Sequence, residues 1–87
     1  MSETLDRVVD EIAAAPQSAA ALILYALVST LEFEQAGFLF KLIKLRDLTP
    51  EQRKLAYQLI ELMAQNANAG IEWDRAKERM DNLVRGE

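Results

Sequence analysis

Apolar and polar positions alternate along this chain with the period of α-helices rather than strands. From Glu3 onward, Leu5, Val8, Val9 and Ile12 recur at helical spacing, with Asp6, Arg7, Asp10 and Glu11 on the opposite side, which predicts a short amphipathic helix capped by Ser2. Pro16 ends that helix or opens the next, because proline cannot donate the backbone bond that a helix interior needs. The following segment, "SAAALILYALVST", points Leu22, Ile23, Leu24, Tyr25, Leu27 and Val28 all round a helix instead of along one stripe. A helix of that kind is normally covered on several sides. Ser29 followed by Glu32 fits a capping box, so a new helix start is expected there, although one long kinked helix from Ala19 to Leu48 would give a similar pattern.

The next stretch, "GFLFKLIKLRDL" (Gly37 to Leu48), carries seven large apolar side chains in twelve positions, and its two lysines do not separate them into a clean alternation. At 100° per residue, Phe38, Leu39, Leu42, Ile43 and Leu45 gather within about 160° of arc, with Lys41 and Lys44 opposite. A strand would place Lys44 and Arg46 on the same face as Phe38, Phe40 and Leu42. The pattern therefore predicts a third helix from about Leu31 to Asp47, weakened at Gly37 by roughly 1 kcal/mol relative to alanine. Phe40 and Leu48 fall outside its main stripe and need a second covering surface.

"LTPEQR" carries the clearest local signal: Thr49 as N-cap, Pro50 at the first helical position and Gln52 closing a capping box. The helix it opens presents Leu55, Ala56, Leu59, Ile60, Leu62 and Met63 on its buried face. "QNANAG" supplies residues that tolerate the left-handed conformation at its end, with Gly70 the expected terminator. A last helix to Arg85 repeats Trp73, Ala76, Met80, Leu83 and Val84, with Asp81 and Arg85 spaced for an i,i+4 pair.

These segments define an all-α fold, a small bundle of four to five helices forming one domain over residues 1–87. Composition agrees: half of the chain is apolar, 28% is charged, and glycine plus proline total only five residues. A chain of 87 residues buries only about 60–65% of its unfolded surface, so few of its positions can be covered on all sides. Two consecutive segments that are apolar on more than one face exceed that capacity. The expectation is a two-fold homodimer, with Leu24, Leu27, Leu31, Phe33, Phe38, Phe40 and Ile43 as candidate interface residues.

Chemistry is restricted by what is missing. The chain has no cysteine and no histidine, which removes thiol nucleophiles, thiolate metal sites, the usual acid–base group near neutral pH and the Glu-x-x-His pattern of di-iron bundles. Glu32 and Glu34 lie in the apolar half, but two residues apart on a helix they face away from each other, and capping and solvation account for them. The three glycines are isolated, so no phosphate-cradling loop is present. The expectation is a non-enzymatic protein without catalytic residues, cofactor or metal, acting through protein contacts.

The formal net charge of −4 disfavours non-specific attraction to nucleic acid. Against that background Lys41, Lys44, Arg46, Arg53 and Lys54 form a basic cluster, a candidate surface for another, acidic protein. The stretch "LTPEQRKLAYQLIELMA" resembles the opening of helix-turn-helix regulators of the LuxR type over Leu48 to Leu55, which implies a DNA-binding alternative. The polar base-reading helix of that family has no counterpart in "GIEWDRAKERMDNLVRG", where acids alternate with bases. The strongly apolar part from Ala19 is about a dozen residues, short of the ~20 of a membrane span. The acidic, amphipathic "MSETLDRVVDEI" is unlike a signal peptide, and cytoplasmic residence is expected.

Overall fold

The computed structural model describes residues 3–32 and 40–86, and every regular element among them is helical: α1 (Glu3–Ala14), α2 (Ala19–Glu32), a 3-10 turn (Leu42–Asp47), α3 (Pro50–Ala64) and α4 (Ile71–Arg85). The amphipathic pattern of α1 is realised in full, with Leu5, Val8, Val9 and Ile12 all buried. Their single stripe lets α1 serve as the hub of the bundle, packed against α2, α3 and α4. The core it shares contains Leu24, Leu27 and Val28 from α2, Leu55, Ala56 and Leu59 from α3, and Trp73, Ala76 and Met80 from α4.

Pro16 lies in the turn between α1 and α2, and Ser18 starts the second helix: its Oγ accepts from the Ala21 amide at 3.1 Å. The cap expected at Ser29 does not form, because α2 runs unbroken through it to Glu32. Thr30, one residue on, instead donates its hydroxyl to the Ala26 carbonyl at 2.8 Å, a bond made within a continuing helix. Beyond α2, Asn68 reaches across from a distant loop and donates to the Leu31 carbonyl at 2.7 Å, satisfying an acceptor at the helix end.

The capping box at Thr49 is present in both directions. The Gln52 amide donates to Thr49 Oγ1 at 3.2 Å, and the Thr49 amide donates to Gln52 Oε1 at 2.9 Å. At the far end of α3 the left-handed residue is Asn66 (φ 59°), not Gly70. Gly70 holds φ 102° immediately before α4, a conformation that strains any residue with a Cβ, so it starts a helix rather than ending one.

The largest departure from expectation concerns residues 40–47. Instead of continuing a helix, Phe40 and Lys41 are not helical, Lys41 is extended (φ −79°, ψ 115°), and Leu42–Asp47 form a 3-10 turn with a bond from the Lys44 amide to the Lys41 carbonyl at 2.9 Å. The non-helical Phe40 and Lys41 interrupt the helical period ahead of a turn of three rather than 3.6 residues, so the 100° stripe is not continued into this segment. Leu42 and Ile43, placed by that stripe on the buried side, are 70% and 58% exposed. Leu45 packs against the core and Leu48 is buried within it. The part of the expected third helix from Phe33 to Leu39 lies outside the described residues.

Candidate functional site

The 3-10 period puts Lys41, Lys44 and Asp47 on one side of the turn, and that side forms one wall of a groove of about 670 Å³. The opposite wall is α2, which contributes Ala19, Leu22, Ile23, Tyr25, Ala26, Ser29 and Thr30, and Phe40, just ahead of the turn, also lines the groove. Along α2, positions 19, 22, 23, 26, 29 and 30 recur at i, i+3, i+4, i+7, i+10 and i+11, so they make one continuous stripe of about three turns. No formal charge lies between Ala13 and Leu31, which leaves this stripe uncharged, with the lysines and Asp47 confined to the facing rim.

The groove exists because α2 is apolar all round. Ala21, Leu24, Leu27, Val28 and Leu31 turn inward and are buried, and the remaining apolar residues have to face elsewhere. Leu22 is 42% exposed as a result. The opposite wall is held by its own anchors: Leu48 sits in the core, its amide bonds back to the Leu45 carbonyl at 3.2 Å, and the Thr49 capping box fixes the chain where α3 begins.

Behind the groove, Tyr25 links α2 to α4. Its hydroxyl donates to Asp81 Oδ1, and Lys77 donates to the same oxygen at 2.8 Å. The Lys77 ammonium lies 4.9 Å from the centre of the Tyr25 ring and 3.9 Å from a Glu32 carboxylate oxygen. Burial and the bond its hydroxyl donates to Asp81 raise the Tyr25 pKa above its usual value, against the pull of the Lys77 charge. Burial works to lower Lys77, but the Asp81 bond and the surrounding negative charge outweigh it, and the Lys77 pKa is raised. For Asp81 burial is again opposed, here by bonds from Lys77 and Tyr25, and its pKa is lowered. Every shift runs away from neutrality.

The residues expected to form an interface divide among three environments. Leu24, Leu27 and Leu31 are buried in the chain's own core, so a partner cannot reach them while the domain is folded. Phe40 is partly buried and lines the groove, and Ile43 stands exposed on the 3-10 turn. Phe33 and Phe38 lie outside the described residues. Neighbours in sequence to the buried leucines, Leu22, Ile23 and Ala26, hold the accessible face instead. The signal that could have found them is the same all-round pattern, read with the inward positions subtracted.

The basic cluster also separates. Lys41 and Lys44 line the groove and Arg46 is exposed on the same turn, whereas Lys54 pairs with Glu51 at 3.5 Å and borders a different cleft, between α1 and α3, with Arg7, Asp10 and Glu11. Arg53, on α3, is partly buried. Glu32 joins Lys77 rather than capping a helix, and Glu34 lies outside the described residues. Among the described residues no three acidic side chains converge as a metal site, and no helix is long and apolar enough to cross a membrane. No protein-family model, curated protein or solved structure gives a significant match to the chain.

Proposed function

We propose that this chain is a non-enzymatic helical module of the cytoplasm that works through protein–protein contacts and associates with itself as a two-fold dimer. The observation that supports this reading is the open, uncharged stripe of α2 facing the exposed 3-10 turn. Apolar surface rimmed by polar residues is a recurrent mark of protein interaction sites. Its size also falls within the ~300–1,000 Å³ of small-molecule sites, but its charged groups, Lys41, Lys44 and Asp47, all belong to the wall facing α2. The Tyr25 hydroxyl is already committed to Asp81.

The ionisable set behind the groove argues in the same direction. A general acid or base works best with a pKa near the operating pH, whereas Tyr25, Lys77 and Asp81 are each shifted further from it and are bonded to one another. That is the behaviour of a tie between helices. DNA binding through α3 and α4 draws no comparable support. The two helices are joined by residues 65–70 and do not pack closely on each other, unlike the tight pair of a helix-turn-helix motif. The accessible face of α4 also mixes Glu72, Asp74 and Glu78 with Arg75 and Arg79.

Absolute mass by light scattering after size exclusion, over a wide concentration range, tests the dimer. The expected result is a species of twice the 9.8 kDa chain mass that dissociates, if at all, only on dilution. A mass of one chain at every concentration overturns self-association.

A further inference from the structure

We infer that the dimer is built by α2 packing on α2 of a second copy about a two-fold axis, through Ala19, Leu22, Ile23, Ala26, Ser29 and Thr30. The inference rests on the dimer reading above and deepens it by assigning the face. Three properties of that face select a second copy as its occupant. First, the stripe follows helical spacing over three turns, the pattern by which one helix lies along another. Ala19, Ala26 and Ser29 are small and allow a backbone to approach closely, while Leu22 and Ile23 between them supply bulk to fill the gap opposite. Second, the stripe carries no charge, so laying it against itself strands no ion in the interface.

Third, the rim is self-complementary. A two-fold contact brings the same patch from both copies together, and a purely basic rim would then repel itself. Here Lys41 and Lys44 share their side of the 3-10 turn with Asp47, so Lys44 of one copy can meet Asp47 of the other, twice in each dimer. Among the described residues other outward apolar positions lack this combination. Tyr57, Ile60 and Met63 on α3 are exposed but line neither the α2 groove nor the cleft between α1 and α3. Ile71 stands beside Glu72, Arg75 and Arg79, in a cleft of mixed charge.

The lack of cysteine gives the test a clean background. Single variants Leu22→Cys and Ala26→Cys place a thiol in the middle of the stripe, and Tyr57→Cys places one on the outer side of α3. A disulfide needs Cα atoms within about 7 Å, so under mild oxidation at least one of the α2 variants should give a covalent dimer rapidly, and the α3 variant should not. In parallel, Leu22→Glu should weaken dimerisation on the order of 100-fold while leaving the helical circular dichroism unchanged, because Leu22 lies outside the core. Lys44→Asp and Asp47→Lys should each weaken association, and the double exchange should restore it.

A wild-type dimer that cross-links at Tyr57→Cys alone, or at none of the three, and is indifferent to Leu22→Glu overturns the α2 face while leaving self-association standing. A wild-type monomer overturns both. Weakening by Leu22→Glu without any α2 cross-link also counts against α2-on-α2 packing, because it places a different part of the partner in the groove.

Discussion

Helices α1 and α2 are similar in length and lie against each other, yet they relate to solvent in opposite ways. All four large aliphatic side chains on α1 turn inward, and its outer side carries Glu3, Asp6, Arg7 and Asp10. The second helix buries Ala21, Leu24, Leu27, Val28 and Leu31 just as thoroughly but keeps Leu22 on its outer side and Ile23 half-covered. The inner faces are equivalent in kind. What differs is the outer face, and the outer face is not needed to close this core. In a small bundle, apolar residues beyond those that the core can enclose must either be covered by another molecule or remain exposed.

The contrast is broken most directly on α2 itself. Leu24→Ala removes a side chain with no exposed surface and should destabilise the fold by about 2–5 kcal/mol, because the transfer term and the cavity add. Leu22→Ala, two positions away and outside the core, should stay within about 0.5 kcal/mol in dilute solution, where association contributes least. Urea unfolding followed by circular dichroism measures both. Equal losses at the two positions would mean that α2 is covered on both sides within a single chain.

An intermediate effect is expected where α2 is tied to α4. Asp81→Asn removes the carboxylate shared by Tyr25 and Lys77 and leaves a partly buried ammonium with the Tyr25 ring and, among the carboxylates of the described residues, Glu32 at 3.9 Å, a loss of about 1–3 kcal/mol at neutral pH. The sign of the pH dependence follows from the shifts. Asp81 has a folded pKa below its ordinary 3.8, so its contribution is present above that value and is lost as pH falls through the lowered folded pKa. Tyr25 and Lys77 have folded values above 10.0 and 10.5, so theirs is present below those values and lost as pH rises beyond them. Thermal unfolding from pH 3 to 11 should show steeper losses at both ends for the native chain than for Asp81→Asn. Parallel curves for the two would show that the tie contributes nothing.

That tie was not legible in the sequence, although part of it was within reach. Lys77 and Asp81 stand at i,i+4, as do Asp81 and Arg85, and spacing alone gives no reason to choose between the two cations. The choice is made by Tyr25, 56 residues away, whose ring and hydroxyl fix the carboxylate beside Lys77. Local signals whose chemistry completes within a few residues read correctly: the α1 stripe, the reciprocal Thr49 and Gln52 cap, and Trp73, Ala76 and Met80 inward on α4. Signals that depend on a distant partner did not. Asn68 reads as a generic turn residue until the Leu31 carbonyl is placed beside it, and Ser29 reads as a cap until α2 proves to continue. The groove was only half legible: an excess of apolar surface on α2 was evident, but which of its side chains the core takes was not, and Leu24, Leu27 and Leu31, expected at a dimer interface, are buried in the chain's own core.

The smallest expected effect separates the two periods that compete over residues 42–47. An α-helical stripe makes Leu42 and Leu45 companions on one buried face, and over so short a segment a three-residue period also puts them on the same side. The two readings diverge in how much that side covers. As the first residue of a 3-10 turn anchored at its other end by Leu48, Leu42 projects past the core, 70% exposed, while Leu45 packs against it. Leu42→Ala should therefore change stability by less than about 0.5 kcal/mol, whereas Leu45→Ala, which opens a gap beside Leu48, should cost about 1–3 kcal/mol. Denaturant midpoints compared at low protein concentration resolve the pair. A loss at Leu42 equal to that at Leu45 would restore the helical stripe, cover the exposed side of the turn within the chain and remove one wall of the groove.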